Sequence, residues 1–315
     1  MVSFTTEIKN EISLVKLSDM EEMVLLSSFV RNNAKYDKKE IVFTIENLKI
    51  VRKIVSLFKD LFDINPEVNQ ISKINSKKNT YVIKIIGKVS KILFDLFVVD
   101  EKFKFIDRVK PYFVESEDLK RAYLRGLFLA CGSINDPKKP GYHLEFLVDS
   151  KEESLFILDL FDSFFIPAKS IVRDKGYMIY IKEAEKIGDF LRIISANNAV
   201  LYYEDIRIYR DLKNMNNRLN NCELANVDKI VNAANNQIKD IEVILDKIGY
   251  EAVEDKLLEV MDYRKKYPDV SLSELSEIIT VETGKVISKS GLNHRLRKIH
   301  EIAERLKKNK EDKNV

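Results

Sequence analysis

Two cysteines in 315 residues, Cys131 and Cys222, stand far apart and without a CxxC neighbour. That scarcity fits a reducing compartment better than a disulfide framework, and the cytoplasm is the default expectation. Long apolar runs are missing too. The longest, Ile92 to Val99, is interrupted by Asp95, and residues 1–17 lack the basic start and apolar core of an export signal, so no membrane span is expected. Charge of one sign is not in excess: 53 Lys and Arg face 50 Asp and Glu, so any affinity for nucleic acid must come from local clustering. GxGxxG, GxxxxGK[ST] and GxSxG are absent, which leaves nucleotide-driven and serine-nucleophile chemistry without a handle. His143, His294 and His300 have no ligand-like spacing to either cysteine, so neither a metal nor a cofactor is expected.

What is present is enough apolar residue for a real core, in a chain longer than one core usually spans. The stretch YLRGLFLACGSIND, residues 123–136, organises the reading. Leu124, Leu127 and Phe128 fall at helical spacing, while Gly126 and Ala130 share a face with no bulk, where a second helix can approach closely. The helix is expected to end at Gly132 in a left-handed cap and to lead into an extended run. This arrangement resembles the LAGLIDADG helix of homing endonucleases.

Before it, periodicity predicts a short helix over 5–14, a helix from a Ser18/Glu21 capping box to about Asn32, a strand over 40–45, a helix from Asn47, a strand over 80–86 and a helix after Gly87. About a hundred residues later the order returns: helix 117–131, strand 142–148, helix 151–164, strands 168–173 and 177–181, helix 183–194. Leu26 matches Leu124, the Asn47 helix matches the Lys151 helix, and TYVIKII matches GYMIYI. The expected architecture is α+β, a duplicated saddle of two antiparallel sheets joined through the helices at 20–32 and 118–131.

From Glu204 the composition turns to IRIYRDLKNMNNRLNNCE, placing Arg207, Arg210, Asn214, Asn217 or Arg218, and Asn221 on one helical face. They are read either as a solvated linker or as a ribbon touching phosphates and base edges. Beyond Asn226 everything reads as helix: Val227 to Ile248, stopped by Gly249; Val253 to Tyr267; a short helix opened by a Ser271/Glu274 capping box; a loop around 280–287; and a last helix from about Ser288. This last helix buries Leu292, Leu296, Ile299, Ala303 and Leu306 and exposes Lys289, Ser290, Asn293, His294, Arg295, Arg297 and Lys298, which suits a recognition helix. The loop before it is longer than a simple helix-turn-helix requires. From Lys307 the charged end is expected to fray.

RAYLRGLFLACGSINDPKKPGYHLEF, EDIRIYRDLKNMNNRLNNCELANVDKIVNAANNQI and SLSELSEIITVETGKVISKSGLNHRLRKI together resemble the signature stretches of the WhiA family, and SFTTEIKNEI is similar to its opening. The resemblance implies a degenerate LAGLIDADG domain followed by an all-α helix-turn-helix domain that binds double-stranded DNA. It also implies a transcription regulator tied to sporulation, cell division and chromosome segregation, cytoplasmic and nucleoid-associated. The expected domains are 1–202, with repeats at about 18–100 and 117–198, a linker helix at 203–225, a DNA-binding domain at 226–308 and a charged tail at 309–315. Written over the LAGLIDADG motif, the chain places Asn33 and Cys131 where a nuclease holds its two metal-binding acids. Asp37 and Asp136 lie beyond the helix ends, so no catalysis is expected. The main expectation is a non-enzymatic DNA-binding protein; the alternative is a saddle that holds protein partners or organises the nucleoid, with DNA bound through the tail alone. A duplicated saddle needs no second copy to complete its core, so a monomer suffices for the fold.

Overall fold

The computed structural model describes residues 2–72 and 79–311. Contacts divide the chain into two compact units, Met1–Asp211 and Leu212–Val315. In the first, helix α1 (Phe4–Ile12) buries Phe4, Ile8 and Ile12 at the spacing that made it amphipathic in the sequence. One repeat then runs α2 (Asp19–Asn33), β1 (Lys35–Tyr36), β2 (Glu40–Ile45), α3 (Leu48–Phe62), β3 (Glu67–Ser72), β4 (Asn79–Ile86) and α4 (Val89–Asp95). After a 3-10 turn at Pro111–Val114, the second runs α5 (Glu117–Cys131), β5 (Gly132–Ile134), β6 (Leu144–Val148), α6 (Lys151–Asp162), β7 (Lys169–Arg173), β8 (Gly176–Ile181) and α7 (Ala184–Ile193).

Both sheets are antiparallel and share one strand order, β1-β2-β4-β3 and β5-β6-β8-β7. Their registers are equivalent, with Phe43 opposite Ile83 in one and Phe146 opposite Ile179 in the other. Ile41, Phe43 and Ile45 on β2, like Leu144, Phe146 and Val148 on β6, alternate inward and are buried, as period-2 patterning requires. The sheets are joined through α2 and α5, whose backbones nearly touch: a Cβ on Gly126 would sit 2.2 Å from the Leu25 carbonyl oxygen and 2.9 Å from the Ser28 Cβ. Each of these helices also ties down the end of its own repeat. Ser27 donates to the carbonyl of Leu96 after α4, and Arg125 Nε to the carbonyl of Ile194 after α7 at 3.1 Å. The next residues, Phe97 and Ser195, both turn left-handed at φ 54° and 61°.

Helix α8 (Asn197–Ile248) begins in the first unit and ends in the second, where α9 (Asp255–Lys266), α10 (Leu272–Thr283) and α11 (Lys289–Glu311) follow it. Ile241 and Ile244 of α8 form a small core with Leu257, Val260 and Met261 of α9, Leu275 and Ile279 of α10, and Leu292, Leu296, Ile299 and Ala303 of α11.

Four local expectations are corrected. Gly132 is extended (φ −71°, ψ 141°), because the chain passes straight from α5 into β5; a side chain there would strike Phe128, at 2.3 Å from its Cδ2. No break separates a linker helix from the 227–248 helix: α8 is continuous, since Asn lowers helix propensity only mildly and no Gly or Pro interrupts 197–248. The loop expected at 280–287 is shorter, because α10 continues to Thr283 and ends in a left-handed cap at Gly284, φ 69°. Fraying does not begin at Lys307, α11 being helical to Glu311; residues 312–315 of the expected tail lie outside the described residues.

Candidate nucleic-acid interface

Helix α11 is held by its apolar side. Full burial of a residue such as Leu292 or Ile299 is worth about 1.5–3 kcal/mol, enough in combination to fix which face of the helix meets water. Its approach is fixed by the turn before it, residues 284–288, where Ile287 N donates to Thr280 Oγ1 at 3.2 Å and Lys285 N to Thr283 Oγ1 at 3.3 Å. Helix α10 is braced from α9. Tyr267 Oη donates to Glu282 at 2.6 Å and Lys266 Nζ at 3.0 Å, and these bonds hold the Glu282 carboxyl below its ordinary pKa. Arg264, 1% exposed, donates to the carbonyl oxygens of Val270 (2.8 Å) and Tyr267 (3.4 Å), closing the α9–α10 turn; burial pulls its pKa down. The Ser271/Glu274 capping box forms as the sequence predicts.

On the opposite side of α11, Lys289, Ser290, Asn293, His294, Arg297 and Lys298 are all exposed. None is engaged by another described side chain. Arg295 differs: it is half-buried, bonded to Glu259 at 3.4 Å and to the Lys256 carbonyl at 3.5 Å, and so belongs to the packing of α11 on α9. A face with cationic, amide and imidazole donors at the start of a rigidly seated helix can reach phosphates and base edges together.

The polar ribbon on α8 divides. Arg207 pairs with Glu204 at 2.7 Å, and Arg210 donates to the carbonyls of Pro137 (2.8 Å) and Lys139 (3.0 Å) while lying over Tyr142. Both arginines are thus committed to the first unit. Asn214, Arg218 and Asn221 are exposed, and residues 211–229 are exposed on every side of the helix.

At the feet of α2 and α5, Asn33 Nδ2 donates to the Ala130 carbonyl at 3.4 Å, and the Cys131 thiol donates to Leu127 O at 3.5 Å. Near Cys131 lies Lys9, its Nζ 5.7 Å from the centre of the Phe128 ring. Burial lowers Lys9 to about 8 and pushes the Cys131 thiol up to about 12. A lysine ammonium occupies the neighbourhood in which two acids would need to concentrate negative charge. The two nearby aspartates are structural: Asp37 Oδ1 accepts from Lys39 N (2.7 Å) and Glu40 N (2.9 Å), and Asp136 Oδ1 from Lys138 N (2.9 Å) and Tyr202 Oη (3.4 Å).

Two clusters escaped the sequence reading. Arg31, with a fully enclosed side chain, bonds Glu153 at 2.7 Å, and the same carboxylate accepts from Tyr123 and Asn32. The Ser150-x-x-Glu153 spacing signals only a helix start and gives no hint of this. Near the end of α8, Asp240 accepts from His300 Nδ1 (2.6 Å) and Lys307 Nζ (3.0 Å), and Lys307 also bonds Glu304 at 2.9 Å. Asp240, His300 and Glu304 have ligand-like geometry, but the lysine already supplies the positive charge between the carboxylates. His143 bonds Glu145 at 3.0 Å and stacks on Tyr180.

Known proteins match the chain over most of its length. Three family models match in succession: "WhiA N-terminal LAGLIDADG-like domain" at 20–99, "WhiA LAGLIDADG-like domain" at 120–213 and "WhiA C-terminal HTH domain" at 216–303. A protein of Bacillus thuringiensis (strain Al Hakam) named "Probable cell division protein WhiA" is 42% identical over 312 residues, 98% of each chain. A protein of the same name from Bacillus mycoides (strain KBAB4) is 42% identical over 311 residues, covering 97% of this chain and 98% of its own. The crystal structure of full-length DUF199/WhiA from Thermatoga maritima superposes with a TM-score of 0.58 at 27% identity, covering 96% of this chain and 99% of that one. With two LAGLIDADG-like segments and a helix-turn-helix segment matched in order, and relatives this similar over nearly their full length, the chain belongs to the WhiA family.

Proposed function

We propose that the protein is a non-enzymatic, sequence-reading DNA-binding protein that acts as a transcription regulator in cell division. The observation that carries this reading is the unengaged polar face at the start of α11, opposite a helix side fixed by the small core. In this role α11 enters the major groove, with Arg297 and Asn293 aimed at base edges and Lys289 and Lys298 at phosphates, while α10 braces it from behind. The family's helix-turn-helix segment and the cell-division name of its relatives support the reading. Chromosome segregation, sporulation and nucleoid association extend it to the biology implied by the resemblance.

The helix feet lack the groups that metal-dependent cleavage needs. Asn33 and Cys131 offer no pair of carboxylates, and Lys9 places a cation near Cys131. Mapping bound DNA across the genome, together with transcript levels after deletion, supplies the recognised site. On that site, Arg297→Ala is expected to weaken binding by about 1–3 kcal/mol in a titration at fixed salt. An unchanged affinity removes α11 from the interface.

A further inference from the structure

Within the second unit, Leu212, Met215 and Leu219 of α8 are 58%, 59% and 52% exposed, and Cys222 and Asn226 beyond them are exposed as well. Their spacings of three, four, three and four are the a and d positions of a heptad, which keep one seam of a helix toward a partner helix. Asn214, Asn217 and Asn221 fall on the far side, together with one exposed apolar residue, Leu224, on a stretch where residues 211–229 are exposed all round.

We infer that this seam docks a second copy of the chain, α8 against α8, as a parallel, in-register two-stranded coiled coil over residues 212–226. Charge complementarity selects that occupant. Arg218 takes a g position and Glu223 an e position, and in a parallel pair each g residue meets the e residue five positions on in the other helix. Arg218 of one copy therefore faces Glu223 of the other, twice by symmetry, and both side chains are exposed for the purpose. Asn226 selects the orientation. In register it meets its own counterpart, amide to amide, whereas an antiparallel pairing sets it against Met215 or Cys222 and leaves a polar group in an apolar layer. Cys222, at a d position, is brought face to face with Cys222 of the second copy.

The test uses the full-length chain. In a Cys131→Ala background, a short bismaleimide is expected to link two chains through Cys222. Moving the thiol to the far face, with Cys222→Ser and Asn221→Cys, is expected to abolish the link. In sedimentation equilibrium, Leu219→Asp should raise the dimer dissociation constant by about 100-fold or more without loss of helicity. Arg218→Glu should weaken the dimer, and the swap Arg218→Glu with Glu223→Arg should restore it. A monomer mass at the highest soluble concentration, or crosslinking that is indifferent to the face carrying the thiol, overturns the proposal. A dimer that survives both Leu219→Asp and Arg218→Glu overturns it equally.

Discussion

Lys9 and Cys131 oppose one another in their response to pH. Burial lowers Lys9 from 10.5 to about 8, so below pH 8 the folded chain carries a poorly solvated charge that the unfolded chain solvates freely. Between pH 8 and 10.5 the unfolded state binds more protons at this residue, and stability rises with pH. The thiol works in the other direction. Unfolded Cys131 ionises near 9 while the folded thiol holds its proton to about 12, so its contribution is lost as pH rises above 9. Lys9→Met is therefore expected to stabilise the protein most below pH 8, with an advantage that shrinks toward pH 10.5; Cys131→Ala should blunt the alkaline loss. Urea unfolding across that range, with each variant compared with the parent, measures both. The Arg31–Glu153 pair is a second single-residue case. With both side chains enclosed, Arg31→Met strands a buried carboxylate and is expected to cost about 3–5 kcal/mol. Converting both residues to Met should recover much of that loss, because the stranded charge goes with its partner.

Helices give the same argument at the next scale. Gly126 is where α2 and α5 come closest, and the obstacle to a side chain is backbone, the Leu25 carbonyl, which cannot turn aside as a side-chain tip can. Gly126→Ala should therefore lower stability by about 1–3 kcal/mol in thermal or urea melts, despite the better helix propensity of alanine. Here the sequence was readable, since a residue without bulk on an otherwise apolar helix face signals close approach. Capping boxes at Ser18 and Ser271 were readable for the same reason: the residues that make the hydrogen bonds are also the letters of the motif. Strand β3, EVNQIS, was not. Among the described residues it pairs with β4 alone, and it leaves Val68 and Ile71 exposed, so it lacks the inward alternation that marks β2. The continuity of α8 was hidden by its asparagines, whose small propensity penalty looked like a boundary. Of the candidate interface, the outward face of α11 could be read from periodicity. That Arg295 and Arg210 are engaged within the protein could not, because Glu259 and the 137–139 turn are distant in sequence, whereas the Arg207–Glu204 pair is a local one, three residues apart on the helix.

At the scale of the molecule, the duplication is legible in details that composition does not reveal. Asp37 and Asp136 make the same turn, each accepting from the backbone N–H two residues on. Left-handed residues recur at Asp63 and Phe165 after the middle helices, and at Phe97 and Ser195 after the last ones. A scaffold that repeats its turns so faithfully puts Asn33 at one helix foot and Cys131 at the other, and neither side chain is a carboxylate. Divalent-metal chemistry on a phosphodiester needs carboxylates that converge on the ion. Asp37 and Asp136 are spent on turns, with Asp37 held below the ordinary carboxylate range chiefly by the Glu40 and Lys39 backbone N–H groups, and Lys9 repels a cation near Cys131. Purified protein with magnesium or manganese is therefore expected to leave supercoiled plasmid uncut under conditions in which it binds that DNA. Cleavage that requires the metal and disappears in Asp136→Ala would show that a turn aspartate had been recruited to the chemistry, and would overturn the account of the helix feet. Cleavage that persists unchanged in Asp136→Ala and Asp37→Ala would instead indicate a contaminating nuclease, which a mock purification from cells lacking the protein identifies.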